Sequence, residues 1–80
     1  MELGEQVYRM VVERHNKVRE RIIYIERRSG LAIAQRRAEV SRLEADLDVL
    51  EKAWRRLARE KPPLTLPQAR MLLDELPGKF

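Results

Sequence analysis

Between residues 33 and 57, Ile33, Val40, Leu43, Leu47, Leu50, Trp54 and Leu57 follow one another at steps of three and four, with Arg36 the only polar break in the series. That spacing draws one apolar stripe down a straight helix, the pattern of a coiled-coil seam. A helix cannot bury its own stripe. The stripe therefore demands a partner surface, and it sets the architecture as all-α.

A second seam precedes it. Tyr8, Val11, His15, Val18, Ile22 and Ile25 again alternate threes and fours, widened by Val7, Val12 and Ile23, so a first helix is expected from Gly4 or Glu5 to Arg28. Glu5, Arg9, Glu13 and Lys17 stand four apart with alternating sign, a ladder that supports the exposed side of that helix. Ser29 and Gly30 then interrupt the pattern, and the registers on either side differ by four residues.

Two structures absorb such a break. In an antiparallel helical hairpin, Gly30 adopts a positive φ at the end of the first helix, and Arg27 and Arg28 complement its negative terminus. In one continuous helix the offset is a stutter, and Gly30 costs about 1 kcal/mol. The similar lengths of the two arms favour the hairpin, because one seam can then cover the other. The shortness of a Ser29-Gly30 loop, and Arg36 and Arg37 near the start of the second helix, weigh against it.

The second helix is expected from Leu31 to Glu60, where Pro62 and Pro63 stop it: a residue before proline is biased out of helical backbone, and proline donates no helical hydrogen bond. Beyond them Thr65 and Gln68 form a capping box and Pro67 falls in the first turn of a short helix, Leu66 to Leu76. Such a helix is too short to stand alone and must dock, on the long helices or on another protein. Gly78, Lys79 and Phe80 are expected to form a loose tail. The chain thus divides into a hairpin or coiled coil, 1–61, and a Pro-bounded short helix with tail, 62–80.

The charge pattern bears on partners. The net charge is only +4, yet nine basic side chains between residues 14 and 42 (Arg14, Lys17, Arg19, Arg21, Arg27, Arg28, Arg36, Arg37, Arg42) face three acids (Glu20, Glu26, Glu39), an excess of six; the rest of the chain sums to minus two. A hairpin crowds Arg27, Arg28, Arg36 and Arg37 at its tip, a positive knob suited to phosphate contact. No zinc-finger, helix-turn-helix or RNA-binding motif accompanies it, so base readout has no basis. The absence of cysteine removes disulfides and thiolate metal sites. No apolar run approaches the roughly 20 residues of a membrane span, and a cytoplasmic, soluble protein is expected.

Catalytic chemistry finds little footing. His15 is the only histidine; Glu13, two residues away, projects from another side of the helix, and neither Ser29 nor Ser41 lies in a nucleophile motif. A seam histidine that tunes assembly fits it better. Trp54 reads as a large core residue or an anchor in a partner's pocket. Gly30, Ala34 and Ala38, four apart, would let another helix approach closely.

The stretch Glu13 to Val40, with Gly30-Leu31-Ala32-Ile33 between its helices, is similar to the all-helical chorismate mutases, whose first helix ends near a Gly-Leu-Pro-Ile segment. The lysine of that family's first helix falls on Glu26 here, and Arg36, Arg37 and Glu39 are out of step with its arginine and glutamate. No catalytic residue carries over. The expectation is a non-enzymatic protein–protein interaction module that forms a homodimer and binds another protein through Leu43, Leu47, Leu50, Trp54 and Leu57. It needs no cofactor, metal, membrane or small-molecule substrate. The alternative is a nucleic-acid-associated hairpin using Arg27, Arg28, Arg36 and Arg37.

Overall fold

The two seams cover each other within one chain. The computed structural model describes residues 2–28 and 30–79, leaving out the side chain of Arg28; α1 (Leu3–Arg28) and α2 (Ile33–Glu60) form an antiparallel hairpin, and α3 (Leu66–Glu75) folds back on to α1. The continuous helix is thereby excluded. The molecule is a rod of 45 × 17 × 17 Å, which is the length of one arm, since the 28 residues of α2 span about 42 Å at 1.5 Å per residue.

The core is a central row from each arm. Val7, Val11, Val18 and Ile25 of α1 meet Leu43, Leu50 and Leu57 of α2, with Ala69 and Leu76 closing the row from the C-terminal segment, so segment 62–80 shares the hairpin's core. In α1 the buried row is Val11, Val18 and Ile25 of the expected seam, with Val7 rather than Tyr8 at its start; Tyr8, His15 and Ile22 fall to its side, half-buried. The shift follows from helix geometry, because residues seven apart drift by about 20° on a straight helix and the middle of a widened stripe wins the deepest place. Continuing the α2 row by seven from Leu43 reaches Arg36, which stands half-buried near the turn and donates from its guanidinium to the Leu31 carbonyl at 3.4 Å.

The turn departs from the expected one. Residues 29–32 link the arms rather than Ser29-Gly30 alone, and α2 begins at Ile33 because Ala32 is extended (φ −60°, ψ 154°). Those two extra residues remove the objection that the loop is too short. Gly30 does not take the positive φ assigned to it, and no atom lies within 4 Å of where its Cβ would be. Ser29 lies outside the described residues. Among the described residues no side chain caps α2 at Ala32, and no acid occupies its first turn, where Arg36 and Arg37 oppose the helix dipole.

The far end of α2 behaves as its prolines dictate. Pro62 expels Lys61 from the right-handed region, and Lys61 closes the helix in the left-handed one (φ 45°, ψ 53°), its N–H donating to the Leu57 carbonyl at 3.0 Å. After the linker, Thr65 accepts from the Gln68 N–H at 3.3 Å while the Gln68 side chain accepts from the Thr65 N–H at 3.0 Å. Two orphan donors at the start of α3 are thus satisfied reciprocally. Thr65→Ala is expected to cost about 1 kcal/mol and to show as faster amide exchange in the first turn of α3 with α1 and α2 unaffected.

Two devices hold α3 down. The Arg14 guanidinium donates to the carbonyls of Leu73 (2.5 Å) and Leu76 (3.3 Å), placing a cation on the negative end of α3. Gly78 (φ 85°) then wedges between the arms, where a Cβ would lie 3.2 Å from Val18 Cγ2 and 3.3 Å from Leu50 Cδ1. The expected loose tail is therefore packed at Gly78; Lys79 is exposed, and Phe80 lies outside the described residues.

Candidate interaction surface

The position of α3 decides which side of the hairpin stays open. Arg14, which clamps α3, and Tyr8 are six residues apart and so project from α1 roughly 120° from each other. On the Tyr8 side, Tyr8, Val12, His15 and Ile22 of α1 run beside Val40, Leu47 and Trp54 of α2, all half-buried. The Tyr8 and Trp54 rings meet edge to face, centroids 6.2 Å apart and planes at 79°, a geometry that contributes about 0.5–1.5 kcal/mol beyond area burial. Ile33 extends this flank to the tip, one heptad before Val40, and is 67% exposed.

Of the residues singled out for partner binding, Leu43, Leu50 and Leu57 are buried between the arms and are unavailable while the hairpin is closed. Leu47 and Trp54 lie on the open flank, with the Arg55 guanidinium 5.7 Å from the indole centroid. His15 shares that flank, its Nδ1 3.5 Å from Asn16 Oδ1. Among the described residues no group of three His, Asp or Glu side chains gathers to hold a metal ion, and no helix is long and apolar enough to cross a membrane.

The two ends of the rod differ in charge and relief. Towards the open end, Glu5–Arg9 (3.7 Å), Asp48–Lys52 (2.9 Å), Glu51–Arg55 (2.6 Å) and Glu60–Arg56 (3.0 Å) pair four apart along exposed faces. Each contributes only about 0.3–0.5 kcal/mol, but together they neutralise that half locally. At the tip, Arg27 and Arg37 form no ion pair among the described residues, nor does Arg19 nearer the middle of α1. Exposed Ile23, Tyr24, Leu31 and Ile33 stand among them, and Arg21 lies 5.8 Å from the Tyr24 ring centroid. The structure brings Arg27, Arg36 and Arg37 to this tip; the Arg28 side chain lies outside the described residues.

The open end carries a groove of about 790 Å³ between the start of α1, the end of α2 and the linker, lined by Leu3, Tyr8, Leu57, Ala58, Pro62, Pro63 and Leu64 with Glu2, Glu5 and Lys61 among its polar residues. No family model, curated protein or solved structure matches the chain. Function is therefore argued from the surface itself.

Sequence reasoning missed the groove and the Arg14 clamp. Pro62-Pro63 signalled where α2 stops but not that the linker would wall a groove together with Tyr8 and Leu57. Arg14 looked like one more member of the basic middle, although its place on α1 beside the central row (Val7, Val11, Val18) fits it to reach a neighbouring helix end.

Proposed function

We propose that this chain is a small helical protein–protein interaction module, an adaptor, chaperone or modulator of a larger assembly in the cytoplasm, which self-associates through its open flank. The observation that carries this is the continuous strip Tyr8, Val12, Ile22, Val40, Leu47 and Trp54, which α3 leaves uncovered by docking on the other side. A rod of two arms presents such a strip as a ready half of a helix bundle, and burying each large side chain is worth roughly 1.5–3 kcal/mol before ordering costs. The charged rims supply steering and register more than affinity.

The single tryptophan lies on the strip, so its emission reports coverage. In the intact chain, raising the concentration is expected to increase the mass in sedimentation equilibrium and shift Trp54 emission to the blue together. Leu47→Asp is expected to abolish both while helicity by circular dichroism is kept. Ile33→Asp, a change on a side chain that already faces solvent, serves as the second variant and is expected to weaken association at unchanged melting temperature. A mass that stays monomeric at every concentration would overturn self-association.

A second reading, contact with nucleic-acid phosphates, is favoured by Arg27 and Arg37 at the tip, which form no ion pair among the described residues. It requires retention on a duplex at low salt that falls steeply as salt rises, since each phosphate neutralised releases condensed counterions. Arg27→Glu with Arg37→Glu is expected to abolish such binding, with a flatter salt slope for either change alone, as read by fluorescence anisotropy.

A further inference from the structure

We infer that the open flank takes a second copy of this chain in antiparallel, two-fold orientation, with Ile33 at the tip of each protomer seated in the open-end groove of its partner. This rests on the self-association proposed above and deepens it. Among the described residues Ile33 is the most exposed of the large hydrophobic side chains, lying beyond the end of α1 at Arg28. The groove of about 790 Å³ at the other end has apolar walls in Tyr8, Leu57 and Leu64. Knob and socket lie at opposite ends of a 45 Å rod. The Ile33 of a protomer therefore cannot reach its own groove, whereas that of a second copy laid alongside in the reverse direction does.

Charge points to the same orientation. Residues 14–42 carry an excess of six positive charges, centred on the tip, and the remaining residues sum to minus two. Antiparallel packing sets Arg27 and Arg37 near Glu2 and Glu5 of the groove, where Lys61 is the one cation among the described lining residues and Arg9 lies 3.7 Å from Glu5 just outside it. Parallel packing stacks the two positive tips. A two-fold axis makes the contact occur twice, so both grooves are filled and assembly closes at two copies rather than running into a filament.

The chain has no cysteine, so engineered thiols report the arrangement cleanly. Ile33→Cys combined with Ala58→Cys is expected to give a covalent dimer on mild oxidation. Within one chain the two positions lie on the same helix roughly 37 Å apart, well beyond the approximately 4.4–6.8 Å Cα separation of a disulfide. Ile33→Cys alone is expected to stay uncrosslinked. Arg37→Glu is expected to weaken association at least tenfold, and Glu2→Arg with Glu5→Arg in the same chain to restore it. Crosslinking through Ile33→Cys alone would overturn the antiparallel arrangement while leaving self-association standing. A dimer by mass in which the paired thiols never crosslink would overturn the knob-and-socket contact. A monomer at all concentrations would overturn both this inference and the self-association beneath it.

Discussion

Leu50→Ala is expected to lower stability by about 2–5 kcal/mol and to reduce the melting temperature by about 10–30 °C, the largest effect of any single truncation in the chain. Leu50 is fully buried at the middle of the α2 row. Its side chain faces both the α1 row and the C-terminal wedge, lying 3.3 Å from where a Gly78 Cβ would be. Its removal therefore opens a cavity bounded by three segments, none of which can collapse inward without dragging another. For the same reason Leu50→Asp is expected to unfold the hairpin outright rather than merely release a partner. Thermal melts followed by circular dichroism check both; a loss under 1 kcal/mol for the alanine variant would mean the two rows do not meet there.

Gly78→Val is expected to detach α3 from the hairpin. A side chain at φ 85° is strained by roughly 1–2 kcal/mol. The new Cβ would also sit 3.2 Å from Val18 Cγ2 and 3.3 Å from Leu50 Cδ1, so both neighbours must give by a few tenths of an ångström, and the two further methyl groups of valine crowd the same space. Strain and crowding fall on the strap that follows α3, and ten residues of helix do not persist undocked in water. Hydrogen exchange should show α3 losing protection and a protease cutting within 62–65, with α1 and the tip half of α2 still protected. Gly30→Val is the matched control: with no atom within 4 Å and no positive φ to satisfy, it is expected to change stability little.

What the residue pattern revealed was whatever depended on local periodicity and on proline. The stripes, the stop at Pro62 and the Thr65–Gln68 cap are written in residues three to seven apart, and the helices begin and end within two residues of where those signals put them. The depth ordering was less legible. Tyr8 and Val7 are neighbours on one stripe, and only the facing helix decides which lies central; it is Val7. The positive φ expected of Gly30 is found at Gly78 instead, in what was expected to be a loose tail. A glycine beside a helix end suggests a cap, but the need at Gly78 arises from Val18 and Leu50, tens of residues away in sequence. The candidate surface was half legible: Leu47 and Trp54 stay open, whereas Leu43, Leu50 and Leu57 sit in the same repeat yet turn inward. A heptad pattern names the stripe without saying which edge a third helix will cover.

The turn at 29–32 also sets an order of events for a chain coming together. Pairs near it, such as Ile25 with the start of α2, close short loops, while Tyr8 and Trp54 must close a far longer one, and entropy charges more for the latter. Zippering from the apex is therefore the cheapest route, and the C-terminal strap, which needs Val18, Leu50 and Arg14 already in place, arrives last. Until it does, the groove between the arms lies bare on both sides, and a neighbouring nascent chain meets two equivalent faces where the finished protein shows one.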